Sequence, residues 1–400
     1  MKKKILFLCE YPFTQHNSFK MEVDYLKKKK IDFTVIDLSQ IIYGKNFSKE
    51  WKTKMEKNSI KFSSLISWLN FFLNLDTKKI IIWNNIKAFN INSFIIELFL
   101  RFSNLKIILH YFHDVFSNSP KKTFFFILDR IKYHKLNIWP YLFFFQKKIL
   151  RTILNLFPYK DVSILSNDLN PESKMDTSFK KNKRVDFNSY DFSNFIIFKN
   201  NIIKKKNYAI YTDSGGPYFS GDRFLNKTKK NICDHENYYG TLNLFFKKLE
   251  KAFDIKVLII PHPKYKSKNN SSLNPFFDKS KVINFNDALP KLSKNCSFFI
   301  NHSSTSISFA VASYKPVILF YSSKYYTEAP STKAARVILA NNLGIKPVDI
   351  CKFKILEIKK LLKINKNKYN EYRYNYLTPK NKLVEKMPNY QIISNLVNNI

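Results

Sequence analysis

Residues 236–265 read ENYYGTLNLFFKKLEKAFDIKVLIIPHPKY. Leu242, Leu244, Phe245, Leu249 and Phe253 recur among polar residues at the spacing of an amphipathic helix over Tyr238–Phe253. Val257–Ile260 is then an unbroken apolar run. It has strand length and no polar face, as a strand covered on both sides of a parallel sheet requires. It stops abruptly at Pro261-His262-Pro263-Lys264. A helix, a fully apolar strand and a sharp turn form one step of a βα repeat, so the chain reads as α/β with helix-covered parallel sheets.

The rhythm extends both ways. Tyr208–Thr212 reads as a strand upstream. Downstream, Val282–Phe285, Ser297–Ile300 and Val317–Tyr321 read as strands, with a short helix at Ser306–Ser313. The start of the chain repeats the pattern. Ile5–Cys9 and Ile31–Ile36 are expected strands, separated by a helix carrying Met21, Val23, Tyr25 and Leu26. Ile80–Trp83 and Leu105–His110 follow, with a helix over 92–103 between them. Val162–Leu165 and Phe195–Phe198 complete the set as strands. The charged run IIKKKN at 202–207 separates the two series and reads as a hinge. The expectation is two Rossmann-like, doubly wound domains facing a cleft, 1–201 and 207–350, followed by a Lys- and Asn-rich helical segment, 351–400. Four hundred residues suit two such cores.

The formal charge of +38 points at first to nucleic acid or a membrane. Yet only seven of the 68 basic residues are arginine. A protein reading nucleic-acid sequence favours the planar guanidinium fork. Abundant Lys, Asn, Ile, Phe and Tyr with scarce Gly and Ala carry the imprint of AT-rich codons, and nucleic acid is not the expected partner. The remaining surplus suits anionic nucleotides, glycans or an anionic membrane face. Lysines and aromatics crowd residues 120–160, and SLISWLNFFLNL at 64–75 adds more apolar surface. These read either as helices packed on a sheet or as a surface resting on lipid.

Cys9, Cys233, Cys296 and Cys351 lie far apart without a C-x-x-C pair, which argues against a disulfide framework or zinc site; Cys9 and Cys296 read as buried thiols. The apolar run near the N-terminus, Ile5–Cys9, is too short for a secretory signal core. No stretch reaches about 18 apolar residues. A cytoplasmic protein is expected, peripheral to the membrane if it touches one. His110-Tyr111-Phe112-His113-Asp114 has metal-ligating residue types, but residues three apart on a strand face opposite ways. No D-x-D pair, dinucleotide fingerprint, P-loop or nucleophile elbow occurs, so neither a metal nor a cofactor is expected.

Three turns carry candidate chemistry, each after a strand end, where open α/β sheets bind ligands. His262 is fixed between Pro261 and Pro263. Asn301-His302-Ser303-Ser304-Thr305-Ser306 sets hydroxyls and backbone N–H groups before a helix, a pattern suited to phosphate. Asp213, in Tyr211-Thr212-Asp213-Ser214-Gly215-Gly216-Pro217, could act as a base or orient a hydroxyl.

The HP turn, followed by the Ser/Thr-rich turn, resembles the HP and serine motifs of bacterial sialyltransferases and polysialyltransferases. Residues 207–323 also resemble the C-terminal half of GT-B-like proteins from capsule and lipopolysaccharide gene clusters. The matching stretches are YTDSGGP, the opening sequence above, and NHSSTSISFAVASYKPVILFYS at 301–322. The resemblance implies a metal-independent glycosyltransferase acting on a surface glycan or lipid-linked glycan. His262, Pro263, Ser303, Ser304, Thr305 and Ser306 would bind the donor's nucleotide phosphate. His262 and Asp213 are the catalytic candidates. In sialyltransferases the acidic base motif lies in the N-terminal half, so Glu10, Asp114 and Asp191 stand beside Asp213. A CMP-linked nonulosonic acid is the donor the motifs favour, and UDP-sugars come second. The alternatives are a nucleotide-sugar epimerase of the same architecture and a non-enzymatic basic module for anionic glycan or lipid.

Overall fold

The computed structural model describes residues 3–44, 59–86, 90–111, 139–167, 182–200, 207–214, 232–262, 274–283, 287–328 and 330–399. Contacts divide the chain into two compact units. One comprises Met1–His113, Asn137–Tyr190 and Pro379–Ile400; the other comprises Asp114–Leu136 and Asp191–Thr378.

The first unit holds β1 (Lys4–Cys9), β2 (Asp32–Asp37), β3 (Ser59–Lys61), β4 (Ile80–Asn85), β5 (Lys106–Tyr111), β6 (Val162–Ser166) and β7 (Asn182–Asp186). All pair in parallel, in the order β3-β2-β1-β4-β5-β6-β7. Side chains alternate across the pleat: Ile5, Phe7 and Cys9 enter one core, Leu6 and Leu8 the other. The order reverses between β1 and β4, the switch point of a doubly wound sheet.

The second unit contributes β8 (Tyr208–Thr212), β9 (Ile232–Cys233), β10 (Lys256–Ile260), β11 (Phe299–Asn301), β12 (Val317–Tyr321), β13 (Tyr326–Thr327) and β14 (Val348–Asp349). Five form a parallel sheet, β10-β8-β11-β12-β14, and β9 pairs with β13 in a separate antiparallel ribbon. Tyr208 and Ile210 face one core and Ala209 and Tyr211 the other. Numbered along the chain, the sheet has a 2-1-3-4-5 order with its switch point between β8 and β11. The helix of the opening sequence spans His235–Phe253. Asp234 caps it, and Leu242, Phe245 and Leu249 are buried beneath it.

Some expected elements differ. Phe195–Phe198, read as a strand, belongs to a helix, Tyr190–Phe198. Phe192 and Ile196, one turn apart, enter the same core, a spacing that a four-residue apolar window cannot reveal. The strand expected at Ser297–Ile300 is β11, displaced toward Asn301. Of Val282–Phe285, Val282 makes one parallel bridge to Ile259 and the rest is not a described strand. The stretch at 64–75 holds the helix Leu65–Leu73, whose Trp68 and Phe72 fill the first unit's core.

The expected C-terminal segment, 351–400, is shared between the units. Helices Ile355–Leu361 and Lys366–Tyr372 bury Ile358, Tyr369 and Tyr372 in the second unit. The helix Asn389–Asn398 returns to the first, burying Ile392, Ile393, Leu396 and Val397. Each buried aliphatic side chain contributes ~1.5–3 kcal/mol, enough together to hold this terminal helix in place. Its orientation is fixed by polar contacts. The Tyr390 N–H donates to the carboxylate of buried Glu22 at 2.8 Å, and Asn188 and Asn389 exchange hydrogen bonds at 2.9 and 3.1 Å.

Candidate functional site

The residues singled out in the second unit converge on the carboxyl edge of its sheet. Ile260 and Asn301 both lie in register with Thr212, so β10, β8 and β11 end side by side. Asp213 follows β8 immediately and is buried; its N–H donates to Ile260 O at 3.0 Å, tying the turn after β8 to the end of β10. The Tyr211 hydroxyl reaches Asp213 Oδ1 at 3.4 Å. Burial, aided by the negative charge of Asp213, pushes the Tyr239 hydroxyl well above the ordinary tyrosine range. Pro261 is buried and His262 half-buried two residues beyond β10. Pro263, Lys264 and the Gly215-Gly216-Pro217 part of the Asp213 turn lie outside the described residues.

The serine turn is more internally engaged than its composition suggests. Asn301, wholly buried at the end of β11, organises it. Its Nδ2 donates to Thr212 Oγ1 at 2.8 Å and to Ser306 Oγ at 3.3 Å, while its Oδ1 accepts the Ser304 N–H at 2.9 Å. The hydroxyls of Ser304 and Ser306 meet at 3.0 Å. The helix that follows, Ile307–Ala312, has six residues. Ser304 and Ser306 therefore build the turn as much as they could serve a ligand. Ser303 is half-buried and Thr305 exposed. Thr212 and Asn301 join the two strands that flank the switch point, where doubly wound sheets hold ligands.

His302 stands in the same turn, and the sequence carries no signal of its partners. Its Nε2 lies 2.7 Å from Glu328 Oε1, its Nδ1 lies 3.1 Å from Ser303 Oγ, and Arg336 also pairs with Glu328. Glu328 follows β13, which β9 holds in place, and Arg336 projects from the helix Pro330–Leu343. Burial pushes the Glu328 carboxyl up. The hydrogen bond from His302 and the charges of His302 and Arg336 outweigh that and hold it below the ordinary carboxylate range.

The other candidates lie away from this sheet edge or beyond description: Glu10 is in the first unit, and Asp191 begins the long segment of the second. Glu10 follows β1 at the switch point and is buried. Next to it Tyr11 stacks on Tyr43 at 5.4 Å, and burial together with the charge of Glu10 pushes the Tyr43 hydroxyl above its ordinary range. Asp191 sits in the first turn of the helix Tyr190–Phe198, and Asp114 lies outside the described residues. His110 is a packing residue: its Nδ1 lies 3.1 Å from the Tyr190 hydroxyl and its ring is edge-on to Trp83 and Phe187. His113, the other imidazole of that run, is not among the described residues. Among the described residues, no three His, Cys, Asp or Glu side chains cluster as metal ligands would, and no helix is long and apolar enough to cross a membrane.

No known sequence family matches the chain, and no curated protein matches it. Solved structures do. The wall teichoic acid polymerase TagF aligns over 100% of this chain and 88% of its own, at 11% identity and a TM-score of 0.51. The UDP-GlcNAc 2-epimerase of Methanocaldococcus jannaschii aligns over 100% of both chains, at 14% identity and a TM-score of 0.46. MurG of Acinetobacter baumannii does so at 8% identity and a TM-score of 0.42. The likeness is one of fold. The chain has two Rossmann-like units of the GT-B type, as its two parallel sheets and their orders indicate.

Proposed function

We propose that the chain is a metal-independent glycosyltransferase that uses a nucleotide-activated sugar. The carrying observation is the convergence, on one sheet edge at its switch point, of Asp213, the His262 turn and the Asn301–Ser306 turn. A buried carboxylate there can take the proton of an acceptor hydroxyl. The freed oxygen attacks the anomeric carbon, and the bond from that carbon to the phosphate oxygen breaks. His262 and the donors of the serine turn stabilise the charge arriving on the phosphate. The HP and serine motifs favour a CMP-linked nonulosonic acid over a UDP-sugar, and a surface glycan or lipid-linked glycan as acceptor.

Metal independence is the sharpest test. Metal-dependent transfer needs hard oxygen ligands, usually carboxylates, around a divalent cation. This sheet edge offers Asp213 with an imidazole and hydroxyls instead. Transfer, followed as donor consumption with CMP- and UDP-sugars and acceptor glycan, should persist in excess EDTA. Complete loss restored by magnesium or manganese would overturn the mechanism. Conversion of UDP-GlcNAc without acceptor would make the protein an epimerase. Salt-sensitive glycan binding with no nucleotide affinity would make it a basic binding module.

A lipid-linked acceptor calls for a membrane-facing surface. On the helix Trp139–Asn155 and the turn after it, Ile149, Ile153 and Leu156 are exposed at helical spacing. Exposed Phe157 packs on exposed Phe102 at 5.2 Å. Lys148, Arg151 and Lys160 are exposed around them. Apolar side chains ringed by cations suit the interface of an anionic bilayer, where each cation contributes about 1 kcal/mol. The protein should sediment with phosphatidylglycerol vesicles at low salt and not with phosphatidylcholine, and Phe102→Asp/Leu156→Asp should abolish this. Equal sedimentation of wild type and variant would remove the patch from the reading.

A further inference from the structure

Among the described residues His302 is deeply buried, with the rings of Phe320 and Tyr326 packed 5.4 and 5.7 Å from its own. An apolar side chain would fill this space without the desolvation that an imidazole, a carboxylate and a guanidinium incur, and buried ionic groups are weak devices for stability. The polar chain nevertheless has a direction. It runs from Arg336 to Glu328, to His302 Nε2, through the ring to Nδ1, and ends on the hydroxyl of Ser303. Glu328 is held ionised and so can only accept, which requires the proton on Nε2. Arg336 is itself fixed, lying 4.9 Å over the ring of Tyr321. Ring orientation and nitrogen assignment are thus decided from behind, and Nδ1 is presented to Ser303 in one geometry.

We propose that His302, locked by Glu328 and Arg336, is a positioning residue that holds the Ser303 hydroxyl in the rotamer that binds the donor's phosphate. The inference rests on the nucleotide-sugar reading above and adds a specific support to it. A hydroxyl in an open turn divides its time among rotamers, and one held by a rigid partner is ready for the ligand without reorganisation.

Two amide substitutions separate this role from simple core filling. His302→Asn sets an amide near the position of Nδ1, keeping a partner for Ser303 and abandoning Glu328. His302→Gln sets one near the position of Nε2, keeping a partner for Glu328 and abandoning Ser303. Calorimetry with CMP and UDP would compare wild type, Ser303→Ala, both His302 variants and His302→Gln/Ser303→Ala, each confirmed as folded by its thermal transition. For whichever nucleotide binds, Ser303→Ala and His302→Gln should each weaken binding about tenfold, the scale of one hydrogen bond to a charged group. The double variant should be no weaker than Ser303→Ala. His302→Asn should stay within about threefold of wild type. The reverse order of the two amides, or additive losses in the double variant, would overturn the positioning role while leaving the donor reading intact. A wild type that binds neither nucleotide would overturn the donor reading and this inference with it.

Discussion

Replacing His262 with alanine should lower turnover by ~10²–10³-fold, the effect of deleting one preorganised donor at a site of developing charge. The size follows from the position of the residue. β10 ends the second unit's sheet but is firmly held: Val257 and Ile259 are fully buried, and the strand pairs with β8 along its whole length. The buried Pro261 carries that rigidity into the turn, so His262 is aimed by the sheet. The side chain is half-buried and lies beyond the strand, so its loss leaves the core packing untouched. The thermal transition of His262→Ala should therefore match wild type within a degree or two, as expected for a change of a few tenths of a kcal/mol. Turnover would be measured with saturating donor and acceptor. A well-folded His262→Ala protein with wild-type turnover would remove His262 from the mechanism and leave Asp213 and the serine turn to explain the site.

What could be read in advance follows physical rules. Strands buried on both faces were legible because each must be an unbroken apolar run, as Ile5–Cys9, Ile80–Trp83 and Val257–Ile260 are, the last although β10 ends its sheet. A strand that faces solvent obeys no such rule. β7 reads Asn-Lys-Arg-Val-Asp, with Arg184 and Asp186 paired at 3.0 Å along the strand itself, a polar composition that announces no strand. The return of the C-terminal helix to the first unit brings together Glu22 and Tyr390, 368 positions apart. No local pattern encodes such a pairing. At the candidate site the turns were legible because they interrupt apolar strands with residues of strong chemistry. The organiser of the serine turn was harder to see. Asn301 looked like one more polar residue, whereas its amide joins the ends of two strands that are neighbours only in the folded sheet. Glu328 and Arg336 were invisible for the same reason: a salt bridge at 26 positions' remove from His302 is a product of topology.

The Arg336–Glu328 pair supplies the largest expected change in stability. Both side chains are almost wholly buried, so deleting one leaves the other charged in a poor solvent. Arg336→Met keeps much of the aliphatic volume and removes the charge. It should destabilise the second unit by ~3–5 kcal/mol at neutral pH, the usual result of breaking a buried pair. For a unit of this size that corresponds to a fall in its thermal midpoint on the order of 10 °C. Adding Glu328→Gln should recover part of the loss, because the orphaned charge is then gone. The pH dependence has a definite sign. The carboxyl of Glu328 is held below its ordinary value in the folded wild type, so its contribution is present above the unfolded value of about 4.3 and fades as pH falls through the folded one. In Arg336→Met the same carboxyl loses a cation that held it down while burial still pushes it up, and protonation relieves it. The gap between wild type and variant should therefore be widest at neutral pH and narrow as pH drops toward 4, as measured by chemical denaturation across that range. A gap that stays constant with pH would show that Arg336 stabilises the fold by packing on Tyr321 alone, and that Glu328 reaches water.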